Sequence, residues 1–174
     1  MNRFWQAVLL TTLVAGTLDI ISAHVDQTIR TGAFPDKMFY AIAGGAIGLE
    51  KAFTRGKWVL LLGIFIHYFI SFSFTLFYFL VYPAIKKVLP NKFLDGFLYA
   101  LFVQSVMTFI VMPLTAFPHK PFVFTFDTVT GILIFTVVFG LPISLMAEKY
   151  YGKRLKLSEA NGFEPYPGPG SKES

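Results

Sequence analysis

From Trp58 to Tyr82 the chain runs 25 residues without an aspartate, glutamate, lysine or arginine. As a helix rising 1.5 Å per residue this stretch reaches roughly 37 Å, more than the ~30 Å hydrocarbon core of a bilayer. It reads as a membrane-spanning helix. Its one ionisable side chain is His67, about nine residues inside the span, where polar groups are costly and are usually held for a partner or a function. Elsewhere the composition agrees: 55% of the 174 residues are hydrophobic, 14% are charged, and the mean hydropathy is +0.60. An ordinary soluble domain needs more charge than that on its surface. The expected fold class is an all-α membrane protein in the lipid bilayer, with four transmembrane helices and a short Gly/Ala-rich interfacial or re-entrant helix.

The expected spans are residues 4–25, 58–82, 96–116 and 128–147, within one helical bundle covering residues 1–150. The first opens with Arg3 and Trp5 and is interrupted by Asp19 and His24. A cleaved signal peptide fits it less well, because Asp19 lies inside the apolar run and the bulky Ile21 sits where a small residue is needed before cleavage. Pro83, Lys86 and Lys87 read as the end of the second span. In the third, Pro113 takes the helical donor from the carbonyl of Phe109, so a kink is expected there. Phe122, Phe124 and Phe126 alternate as interfacial aromatics before Asp127 or Thr128 caps the last span. Residues 151–174 are basic and then rich in proline and glycine, which predicts a disordered cytoplasmic tail.

Residues 36–54 hold the short helix. Pro35 suits its first turn, and its apolar part, Met38 to Leu49, makes only about 18 Å of helix, too little to cross. Gly44 and Gly48 lie one turn apart as a G-x-x-x-G pair, which lets two backbones approach in a bilayer. The expectation is a half-inserted helix docked on the bundle through these glycines, or on a second copy or another membrane protein.

Four spans put both termini on one side. That side carries eight basic residues (Arg3, Lys86, Lys87, Lys92, Lys149, Lys153, Arg154 and Lys156) and the other six (Arg30, Lys37, Lys51, Arg55, Lys57 and Lys120), which favours cytoplasmic termini. The net charge of +5 is spread in short clusters beside the spans, as topology determinants facing anionic lipid are, and nucleic acid is not an expected partner.

Asp19 lies ~9 Å and His67 ~14 Å from the same end of their antiparallel helices, so their depths nearly match. A carboxylate and an imidazole at one depth lower each other's cost of burial. Gly16 shares a face with Asp19 and Gly63 with His67, a spacing that would bring the two helices together at the polar site. Gln104 and the Phe109 carbonyl are candidates to complete it. The pair either serves a small transporter, channel or proton-responsive protein, or only fastens helices. No enzyme is expected: there is no G-x-S-x-G elbow and no H-E-x-x-H pair. The absence of cysteine excludes disulfides, thiolate metal sites and cysteine nucleophiles. A haem between His24 and His67 is poorly matched in depth, and His24, Asp26 and His119 make only a sparse metal set, so no cofactor or metal is expected. Phe65, Phe69, Phe72 and Phe79 read as lipid-facing bulk.

Several short runs, Ala15-Gly16-Thr17-Leu18-Asp19-Ile20, Ile42-Ala43-Gly44-Gly45, Leu62-Gly63 with His67, Val111-Met112-Pro113-Leu114-Thr115-Ala116 and Gly140-Leu141-Pro142-Ile143, resemble a group of small uncharacterised bacterial inner-membrane proteins. More loosely they are similar to the YagU-like proteins. The resemblance covers Val14 to Met146 and implies a compact multi-pass bundle in the bacterial inner membrane. For YagU-like proteins a link to acid tolerance has been proposed. It brings no catalytic residue.

Overall fold

The computed structural model describes residues 3–33, 35, 37–54, 56–89, 91–116 and 125–160, with backbone alone for 153–160. Four helices are long and apolar enough to cross a membrane: Arg3–Thr31 (α1), Trp58–Val88 (α4), Lys92–Leu114 and Phe126–Gly152. The third consists of α5 (Lys92–Val106), a π-turn at Met107–Val111, and α6 (Met112–Leu114). The fourth consists of α7 (Phe126–Phe135), a π-turn at Thr136–Gly140, and α8 (Leu141–Ala160). Among the described residues there is no strand. The chain is a polytopic, all-α membrane protein.

α1 packs on α4 on one side and on the fourth span on the other, and α5 lies along the fourth span. Rings of Phe4, Phe79 and Tyr150 meet, with Phe4 and Tyr150 centroids 6.0 Å apart, so the start of α1 and the end of the fourth span share one end of the bundle. Lys86 and Lys92 both reach Glu148 there, at 3.5 and 3.3 Å. At the opposite end Arg30 pairs with Asp26 and Asp127. The core between them is built from Val8, Ala15, Tyr78, Tyr99, Phe139 and Ile143 among others, while Leu10, Leu61, Phe65 and Leu133 point outward, each more than half exposed. Lipid tails make that outward surface inexpensive, whereas water would not. Of the phenylalanines read as lipid-facing, Phe65 and Phe69 are exposed, but Phe79 is fully buried and Phe72 packs against the core.

Pro83 does not end α4. Its ring removes the donor that would bond the carbonyl of Phe79, and the Tyr151 hydroxyl of α8 donates to that carbonyl instead, at 2.7 Å. With the orphan acceptor satisfied, the helix runs on through Pro83 to Val88. Tyr151→Phe should therefore lower stability by about 1 kcal/mol, the usual worth of an interhelical hydrogen bond in a bilayer. In a Pro83→Ala background, where residue 83 regains its N–H, the same change should cost less. Denaturant titration of the four variants in micelles gives the coupling, and equal costs in both backgrounds would dissociate Tyr151 from Pro83.

Pro113 and Pro142 are handled in a second way. Each is the second residue after a π-turn, closed by N–H bonds from Met112 to Met107 and from Leu141 to Thr136. The extra residue in such a turn makes room for the ring and for the missing donor. The irregularity expected at Pro113 thus takes the form of a widened turn upstream of it.

The short helix starts at Met38 rather than at residue 36 and is two pieces, α2 (Met38–Ile47) and α3 (Leu49–Thr54). Gly48 lies between them at φ +89°, a conformation open to glycine and strained for other residues, and a methyl on it would touch nothing within 4 Å. Gly44 faces α3, with Leu49 Cδ2 at 2.8 Å from where a Cβ would stand. The G-x-x-x-G pair therefore makes a break and a fold-back, not a docking face. Docking falls to Gly63 of α4, where a methyl would overlap the carbonyl of Phe39. Gly63 thus brings α2, not α1, against α4. The Ala116 N–H adds a bond to the Gly45 carbonyl at 2.8 Å.

The last span is capped by Thr125 in reciprocal bonds with Thr128, two or three residues earlier than Asp127 or Thr128 would have placed it. Phe126 is 85% exposed. Phe122, Phe124 and His119 of the connector, and the tail after residue 160, lie outside the described residues.

Candidate functional site

Gly16 and Ala15 form the buried face of α1 where it meets α4. A methyl on Gly16 would stand 3.1 Å from Ser71 Oγ and 3.2 Å from Tyr68 Cε1, so the missing side chain sets how closely these helices approach. At that closeness His67 Nε2 comes within 2.8 Å of the Gly16 carbonyl. A carbonyl only accepts, so Nε2 carries a proton and Nδ1 is the nitrogen left to exchange one. At the next residue of each helix, the hydroxyls of Tyr68 and Thr17 meet at 2.8 Å.

Asp19 lies beside this seam. Among the described residues it forms neither an ion pair nor a hydrogen bond with His67, and its carboxylate accepts no hydrogen bond. The direct pair expected from matched depth is thus replaced by shared space: both side chains line a cavity of about 140 Å³, together with Ser71, Met107 and Phe139. Met107 belongs to one π-turn and Phe139 to the other, so the two widened turns form part of its wall. Nor does His67 turn to the Phe109 carbonyl, since its Nε2 is taken by Gly16.

Asp19 also lines a larger cleft of about 460 Å³ with Gln104, Asp26, Arg30, Asp127 and Thr128. Gln104 therefore faces the cleft and not the His67 cavity. Its Nε2 lies 3.5 Å from Thr108 Oγ1, at the limit of a hydrogen bond. Arg30 is held by Asp26 at 2.8 Å and by Asp127, which leaves the cleft with three carboxylates to one guanidinium. That excess favours cations. His24 Nδ1 lies 2.8 Å from the Ile20 carbonyl of its own helix, and its ring meets that of Phe39 on α2 at 5.9 Å.

A second buried polar group lies toward the opposite end of the bundle, at Asp95, one residue before the expected start of the third span at residue 96. Asp95 is 1% exposed and neither carboxylate oxygen has a hydrogen-bond partner. The buried hydroxyl of Thr75 is likewise unpartnered, and that of Tyr78 lies near Asp95 and Ser144 without a hydrogen bond of good geometry. A signal existed: Asp95, Tyr99 and Val103 recur every four residues on one face of α5, and all three are buried. The Asn91 side chain caps the helix by accepting from the N–H groups of Phe93 and Leu94, which puts Asp95 inside the helix instead of before it.

Comparison of the chain with known protein families, with curated proteins and with solved structures finds no match.

Proposed function

We propose that this protein is a small proton-linked membrane transporter or channel, with Asp19 as its exchanging group and His67 as the neighbour that completes the site. The observation that carries the reading is the position of Asp19, shared by an acidic cleft and by the inner cavity that holds His67. An ionisable group inside a bilayer that accepts no hydrogen bond is expensive to keep for structure alone. Imidazoles, for their part, are the side chains best suited to exchange protons near neutral pH. No chemical reaction is part of the proposal. Proton flux into liposomes that contain the full chain, compared with empty liposomes, tests it: equal rates at every pH between about 5 and 8 would remove it.

A structural role is the second reading, and the bond from His67 Nε2 to the Gly16 carbonyl favours it, since that contact fastens α1 to α4 whatever else the imidazole does.

The bacterial inner membrane and cytoplasmic termini are proposed with it, on the motif resemblance and the basic-residue bias. Reporter fusions after Lys156 should give a cytoplasmic signal and fusions within residues 32–35 a periplasmic one. The reverse pattern would invert the topology.

A further inference from the structure

The buried face of α4 is polar over much of its length. His67, Ser71, Thr75 and Tyr78 follow one another at spacings of four, four and three, so they form one stripe down a largely apolar helix, and none is more than 9% exposed. Ser71 lines the Asp19 and His67 cavity. Tyr78, at the other end of the stripe, has its ring 4.4 Å from that of Tyr99 on α5 and lies near Asp95 and Ser144. Thr75 Oγ1 has no hydrogen-bond partner, and the Tyr78 hydroxyl and the Asp95 carboxyl, though close enough to interact, form no hydrogen bond of good geometry, while Ser144 beside them donates to the Lys92 carbonyl at 2.8 Å.

Leaving such atoms buried and unbonded costs about 1–3 kcal/mol each, and valine, phenylalanine and leucine would fill the same space without that cost. Neighbours at these spacings are ~5–6 Å apart at Cβ, so one water between successive hydroxyls would satisfy them and join them.

We propose that Asp95 is a second proton-exchange group, and that Ser71, Thr75 and Tyr78 relay protons between it and the Asp19 and His67 cavity. This rests on the proton-linked reading given above. In each transfer a hydroxyl or water accepts one proton from the neighbour on one side and gives up its own to the neighbour on the other. Charge moves roughly 16 Å along the axis of α4, from His67 to Tyr78, without any group leaving its place. At the Asp95 end the buried carboxyl takes the proton, and a water carries it on to the half-exposed Glu148 at the rim. The charged and titratable groups facing that end are Lys86 and Tyr82 of α4, Lys92 and Tyr99 of α5, and Glu148 of α8.

The test is proton uptake by liposomes containing the full-length protein and an internal pH dye, with potassium and valinomycin clamping the potential. Thr75→Val and Tyr78→Phe each remove a buried hydroxyl that makes no hydrogen bond of good geometry while keeping the shape, so thermal stability should stay near that of the wild type or rise. Flux should fall on the order of a hundred-fold, as when a positioned proton carrier is removed. Asp95→Asn should do the same, and the two hydroxyl variants carry the test if it does not fold. Wild-type rates in Thr75→Val and Tyr78→Phe, with Asp19→Asn blocked, would overturn the relay and leave the Asp19 site standing. No flux from the wild type would overturn both.

Discussion

Asp19→Asn should abolish proton flux through the reconstituted protein while leaving the bundle folded. Asparagine has the shape of aspartate but cannot take up and release a proton, so the junction between cleft and inner cavity loses its exchanging group. The fold should not suffer, because the carboxylate accepts no hydrogen bond among the described residues and gives up no contact that asparagine lacks. A neutral amide at this depth is also less costly than a charge, by up to about 3 kcal/mol on insertion scales. Stability should hold or increase, and flux should drop on the order of a hundred-fold. His67→Gln separates the two roles of the imidazole. Glutamine can still donate to the Gly16 carbonyl, so the α1–α4 seam should weaken by less than about 1 kcal/mol, but it cannot exchange a proton. Loss of flux in both variants at near-native stability supports a working site. If each change instead lowers stability, flux being untouched, and the double change costs less than the sum, Asp19 and His67 fasten helices.

Gly140→Leu should prevent the bundle from assembling, and even Gly140→Ala should cost toward the upper end of the ~1–3 kcal/mol typical of overpacking. Gly140 closes the π-turn of the fourth span against α5. A methyl there would overlap the carbonyl of Gly96 and stand 2.9 Å from the Ala100 Cβ. Gly96 is confined as well: a methyl on it would stand 2.9 Å from Leu141 Cδ2 and 3.1 Å from the Gly140 carbonyl. Backbone cannot rotate aside as a side chain can, so the two spans must separate. Gly131 lies in the same span with nothing within 4 Å, and Gly131→Ala should be neutral or stabilise by up to about 1 kcal/mol through helix propensity. Thermal unfolding and size-exclusion profiles in detergent measure both. Equal behaviour of the Gly140 and Gly131 variants would show that the Gly96 and Gly140 contact does not set the spacing of these spans.

The all-α class, the four spans and the break between the first two long helices were legible in the sequence because hydropathy and span length are properties of consecutive residues. Each apolar run is long enough to cross, and Met38 to Leu49 is not, whatever surrounds them. Asp19 and His67 were legible for the same reason, as ionisable groups within such runs. What they bond to was not. His67 turns to Gly16 because the glycine exposes its carbonyl at 2.8 Å, a separation set by how closely two helices pack. Pro83 stays within a helix because Tyr151, on another span, replaces the lost donor. Gly63, not Gly44 or Gly48, is where α2 touches α4, and Asp95 is buried although it stands only one turn from the end of its span. Local sequence states which backbone and side-chain groups need a partner. Which partner each receives depends on distances between helices, and these arise only when glycines, π-turns and side-chain volumes fit together in three dimensions.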